Sequence, residues 1–98
     1  MSEEQCHKTK RRTDSEYRAL FSRLNRIEGQ VRGIANMLEK DAYCIDVLTQ
    51  VSAVQAALGA FSKELLGNHI RSCVRDGIRA GDDDVVDELV AVVQKLIR

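Results

Sequence analysis

The sequence predicts an all-α protein with three helices, the first two forming a long antiparallel hairpin. Three observations predict it. The 98 residues contain no proline. Strand-like alternation of apolar and polar residues is missing, and aromatic residues are scarce. Apolar side chains instead recur every three or four positions along most of the chain, as a helix with one buried face requires.

Residues 1–12 are polar and charged and read as a flexible basic arm, with Cys6 and His7 as a weak extra ligand pair. Residues 13–98 read as one domain, since 98 residues cannot supply more than one core. Helix one begins at Thr13, with Glu16 three residues on as the second half of a capping box. Its apolar residues Leu20, Leu24, Ile27, Val31, Ile34 and Leu38 alternate by four and three, a heptad seam about three repeats long. Gly29 and Gly33 interrupt it at some cost in helix propensity.

Glu39-Lys40-Asp41 makes a tight turn, with Asp41 as the candidate N-cap of helix two. Helix two is expected from about residue 42 to about 78, with Ile45, Leu48, Val51, Val54, Leu58, Phe61 and Leu65 at helical spacing and a bend near Gly67. So long a helix suits a chain that packs against a copy of itself, and two hairpins make a four-helix bundle. Gly81 and Asp82-Asp83-Asp84 end helix two and open helix three, where carboxylates complement the helix dipole. Helix three carries Val85, Val86, Leu89, Val92, Val93 and Leu96 on one stripe. That stripe either folds back on the bundle or joins two dimers into a tetramer.

The 15 basic and 15 acidic residues balance. The balance hides an asymmetry. From Lys8 to Arg32 there are eight basic residues (Lys8, Lys10, Arg11, Arg12, Arg18, Arg23, Arg26, Arg32) against Asp14, Glu16 and Glu28, and the rest of the chain is correspondingly acidic. A basic half in a neutral protein points to a phosphate-rich partner, although a charged helix face is often only solvated. Three cysteines, no secretory leader and no apolar run expected to span a membrane argue for a reducing cytoplasm with free thiols. No nucleophile–base pair, paired carboxylates or phosphate loop suggests an enzyme.

Cys44 stands near the start of helix two, and His69 and Cys73 near its end, four residues apart on one helix face. Two thiols and an imidazole suit a soft metal. In a continuous helix Cys44 and His69 are about 37 Å apart at ~1.5 Å rise per residue. One chain cannot close that site. Two copies packed antiparallel about Leu58 and Gly59 can, and would carry two identical intersubunit sites. Each residue taken alone is better read as a core position, the cysteines as small hydrophobes and the histidine as a satisfied imidazole, and it is the three together that point to metal.

Three stretches carry a resemblance: R-L-N-R-I-E-G-Q-V-R-G-I from Arg23, A-Y-C-I-D-V-L-T-Q-V-S-A-V-Q-A-A-L from Ala42, and N-H-I-R-S-C-V from Asn68. From about Arg18 onward the chain resembles the CsoR/RcnR family of metal-sensing repressors, in its copper-sensing form. The resemblance implies a dimer of hairpins assembling into a dimer of dimers, a homotetramer that binds operator double-stranded DNA in the apo form. Release follows the binding of Cu(I), one per chain, by Cys44, His69 and Cys73 in trigonal S₂N geometry. Tyr43 and Glu88 match residues that hydrogen-bond the ligand histidine, the latter only if the acidic loop is slightly shorter than in some relatives. Arg23 and Gln30 fall in the matching helix-one motif as DNA contacts, with Arg18, Arg26, Arg32 and Lys63 in support. Nickel and cobalt members have histidine at the Cys73 position and a further histidine that falls at Arg12 here. Formaldehyde-responsive members lack the Cys73 thiol. Persulfide-sensing members keep both thiols but lack the histidine, so a thiol-based persulfide or oxidant sensor of the same fold is the alternative, and a copper carrier that binds no DNA is a second.

Overall fold

The computed structural model describes residues 12–96. The expectations for Cys6, His7 and the rest of the basic arm before Arg12 lie outside the described residues. Three helices are present among the described residues: α1 (Asp14–Glu39), α2 (Cys44–Arg79) and α3 (Asp84–Leu96). The chain divides into two compact units. One is Thr13–Leu65, holding α1 and the first part of α2; the other contains the described residues from 66 on, with the end of α2 and all of α3.

α1 starts where its cap dictates. The Thr13 hydroxyl accepts from the Glu16 amide at 3.1 Å, and the Glu16 carboxylate accepts from the Thr13 amide at 3.2 Å, closing the box. Tyr17 and Phe21, one turn apart, stack with ring centroids 5.4 Å apart and planes 11° off parallel. The helix stops at a Schellman motif: the Ala42 amide reaches the Met37 carbonyl at 2.9 Å, and the Asp41 amide reaches Leu38 at 3.2 Å. The motif needs a left-handed residue between, and Asp41 supplies it with φ +56°. Asp41 therefore ends α1 rather than capping α2, which begins at Cys44 with the Tyr43 carbonyl accepting from the Asp46 and Val47 amides.

Within the Thr13–Leu65 unit, the heptad seam of α1 is split. Leu20 and Ile27 are 6% and 7% exposed, whereas Leu24, Val31 and Leu38 are 40%, 50% and 65% exposed. One chain thus covers only alternate members of the seam. On α2, Val54 is buried while Ile45, Leu48 and Leu58 remain exposed. A Cβ added to Gly29, Gly33 or Gly59 would meet nothing within 4 Å, so these backbones are open in the single chain. The hairpin is pinned by Arg23, whose Nε donates to Glu64 Oε1 at 2.7 Å, each residue about 20 positions from the turn.

α2 is regular to His69 and then widens into a π-helical turn over Ile70–Val74, before finishing as α-helix at Arg75–Arg79. The Arg75 amide reaches back to the Ile70 carbonyl, five residues earlier. Local chemistry accounts for the widening. The Ser72 hydroxyl donates to the Asn68 carbonyl at 2.8 Å, taking the acceptor that an α-helical amide would use. Arg71 Nη2 in turn donates to the Asn68 side-chain oxygen at 2.7 Å. The irregularity expected at Gly67 falls three residues later, where these contacts form. By length and composition α2 contains a stretch apolar enough to cross a membrane, which the sequence reading did not expect.

α2 ends in a second Schellman motif, with Gly81 at φ +82° and the Asp82 amide on the Gly77 carbonyl at 2.8 Å. The Asp82 carboxylate accepts from the Asp84 amide at 3.0 Å, and Asp84 and Asp87 lie in the first turn of α3, as the acidic run predicts. Within this unit Cys73, Val74, Gly77 and Val85 are buried together at the packing of α3 on the end of α2.

Candidate metal centre and nucleic-acid interface

The end of α2 presents two of the three predicted ligands on one turn. His69 closes the regular helix and is half-buried, and Cys73 lies inside the π turn with 3% of its surface exposed. The Ser72 hydroxyl lies 4.0 Å from the Cys73 sulfur, within reach of a weak hydrogen bond. Cys44 is the first residue of α2, exposed, and follows the exposed Tyr43. Both cysteines are free thiols. Among the described residues of one chain, no three His, Cys, Asp or Glu residues gather as a metal site. The regular helix from Cys44 to His69 has 26 residues, the span that forbids closure within one chain. The donor set fits a soft monovalent metal: two sulfurs and one imidazole nitrogen, with no carboxylate among them. Glu88 sits exposed on α3, in the same unit as His69 and Cys73.

The DNA candidates sort into distinct environments. Arg26 and Lys63 are exposed. Arg18 is exposed and its Nε leans on the Asp14 carbonyl at 3.5 Å. Arg32 makes a loose pair with Glu28, 3.8 Å apart and about 70% exposed on both sides, which contributes little. Arg23 is held by Glu64. The Gln30 side-chain oxygen is covered by the chain and has no hydrogen-bond partner among the described residues. Sequence reasoning missed three features: the Asn68–Arg71–Ser72 contacts, the role of Glu64, and the meeting of Gly77 with Val85. Ser72 four residues after Asn68 was the available signal for the first. The Arg23–Glu64 pair joins positions 41 residues apart and left none, and the meeting of Gly77 with Val85 depends on how α3 folds back on α2.

A helical chain with a thiol–imidazole pair on one helix and an arginine-rich face on another has the parts of a metal-responsive DNA-binding protein. The family model described as metal-sensitive transcriptional repressor matches residues 16–95, and the chain belongs to that family. Within it, the similarity runs to copper-sensing members. The chain is 46% identical over 94 residues to the copper-sensing transcriptional repressor CsoR of Bacillus subtilis, covering 94% of this chain and 93% of that one. It is 48% identical over 79 residues to the copper-sensing transcriptional repressor RicR of Mycobacterium tuberculosis, covering 78% and 82%. The crystal structure of the copper-sensing repressor CsoR with Cu(I) from Geobacillus thermodenitrificans superposes with a TM-score of 0.85 at 42% identity, covering 92% of this chain and 95% of that one.

Proposed function

We propose that this chain is a copper(I)-responsive transcriptional repressor of the CsoR-like kind, working in the cytoplasm. Residues 13–98 act as one metal-sensing, DNA-binding domain. Two chains pair with their α2 helices antiparallel, and pairs assemble into a tetramer. In the apo form the basic face of α1 holds operator DNA, and binding of Cu(I) by Cys44, His69 and Cys73 releases it. The observation that supports the reading is where the three proposed ligands fall: two on one turn at the end of α2, the third at the start of a 26-residue helix. The uncovered apolar positions of α1 and α2 support the pairing, because a second copy supplies the surface they lack.

Cys44 of one chain with His69 and Cys73 of its neighbour would hold Cu(I), whose binding would favour the thiolate forms of the two cysteines and link the chains. Cys73 is buried in the corner where α3 packs on α2, so a change at the thiol is felt by α3 without direct contact with DNA. Tyr43 and Glu88 orient the imidazole by hydrogen bonding to it. His69 favours copper over the persulfide alternative, because a persulfide bridge between two thiols needs no imidazole.

Complementation tests the shared site. Cys44→Ser and Cys73→Ser chains are titrated with Cu(I) against a competing chelator, separately and after co-refolding. Each alone loses the tight site. A random mixture regains about one site per four chains, because each mixed dimer has one site with every native ligand. No recovery on mixing overturns the intersubunit site.

A further inference from the structure

Among the described residues, Glu64 makes the shortest ion pair with a predicted DNA contact, against 3.8 Å for Glu28 and Arg32. Its carboxylate accepts from Arg23 Nε at 2.7 Å, the geometry of a full charge-assisted hydrogen bond. The pairing runs between helices, whereas Arg18 and Arg32 make only longer contacts within α1. The Arg23 and Glu64 side chains are 39% and 30% exposed, sheltered enough to be defined yet open to an incoming phosphate. We infer that Glu64 is a positioning residue that lowers operator affinity, by occupying the Arg23 guanidinium that a DNA phosphate would otherwise engage.

The argument is electrostatic and rests on the repressor reading above. Affinity for duplex DNA comes largely from cations that displace counterions condensed on the phosphates, each contributing about 0.9 to the slope of log K against log salt. An arginine already neutralised by a carboxylate displaces none. A phosphate approaching Arg23 must also face the Glu64 charge or push it aside. A part-exposed pair is weak enough for that exchange to happen, so Glu64 works as a brake and not a block. A repressor that must let go of DNA on a signal benefits from a grip that is moderate beforehand. The brake acts on a phosphate contact, so it affects specific and non-specific DNA alike.

The test compares copper-free wild type with Glu64→Gln, by fluorescence anisotropy on two duplexes: the DNA upstream of the protein's own gene, and a random sequence of equal length. The amide keeps the size of the side chain and an acceptor for Nε but removes the charge. Glu64→Gln is expected to bind both duplexes about three- to tenfold more tightly at 0.1 M salt, with a slope steeper by about 0.9. Glu64→Asn should move both quantities in the same direction. In an Arg23→Gln background the added slope should vanish, because there is no cation left to release. Unchanged or weaker binding by both Glu64 variants, or an added slope that survives without Arg23, overturns the inference and leaves the repressor reading intact. Wild-type protein that binds neither duplex overturns the repressor reading itself.

Discussion

A Cβ placed on Gly77 would lie 2.7 Å from Val85 Cγ1, so α2 and α3 meet with only the Val85 side chain between them at that point. The contact sits one turn beyond Cys73, in the same buried corner. Gly77→Ala forces the two helices apart. The expected loss is about 1–3 kcal/mol, typical of overpacking, seen as a lower thermal midpoint. If α3 carries the copper signal, Gly77→Ala also blunts copper-driven release of DNA in a gel-shift assay. A variant that releases DNA normally despite the lower midpoint removes this contact from the signalling route.

The two helix stops share one geometry but differ in residue. Asp41 and Gly81 both occupy the left-handed position of a Schellman motif. Glycine suits that conformation and aspartate tolerates it. Asp41→Gly should therefore stabilise the protein by about 0.5 kcal/mol, net of the extra entropy glycine has when unfolded. Gly81→Ala should destabilise it by about 1–2 kcal/mol. Urea titrations of the pair settle the matter, and shifts of equal sign would contradict it.

Removing the imidazole separates copper from sulfur chemistry. His69→Ala should lose tight Cu(I) binding while keeping both thiols and the apo affinity for DNA. Sulfide or mild oxidant added to wild type should leave DNA bound where copper releases it. The reverse pattern would hand the site to the persulfide reading.

Glu88 and Tyr43 orient the ring in the proposed mechanism and do not donate to the metal. Glu88→Gln and Tyr43→Phe are expected to keep copper affinity nearly unchanged and to weaken release of DNA. Full release by Glu88→Gln would exclude that residue from the mechanism.

Exposed arginines off the apolar seam should act one phosphate at a time. Arg26→Ala is expected to weaken binding to any duplex and to reduce the salt slope by about 0.9. A slope that does not move would place Arg26 outside the DNA face.

Much of the fold was legible because it is written locally. Thr13 and Glu16 announce the start of α1 three residues apart, and the acidic run before Val85 announces α3. The turn after Glu39 was legible in place but not in chemistry. Asp41 is a common N-cap residue, and only its positive φ shows that it closes the preceding helix. The π turn was invisible to apolar periodicity, since it arises from a hydroxyl competing for one carbonyl.

The candidate site was legible for a different reason. Cys44, His69 and Cys73 are chemically rare types in a chain with few of either, and helical rise alone says that they cannot meet within it. What the sequence hid was long-range. Arg23 carries a motif that reads as a DNA contact, yet its partner 41 residues on changes what that contact is worth. Gln30 sits in the same motif with its side-chain oxygen enclosed by the chain.

Because α1 hides Leu20 and Ile27 but leaves Leu24, Val31 and Leu38 in water, a solitary polypeptide is an unfinished fold. Its resistance to heat should climb with protein concentration, by about 1.4 kcal/mol per tenfold where folding and pairing are one step. If the chains pair as proposed, scarcity has a structural meaning: too few copies would leave single chains, which unfold more readily and would be the first that proteases clear.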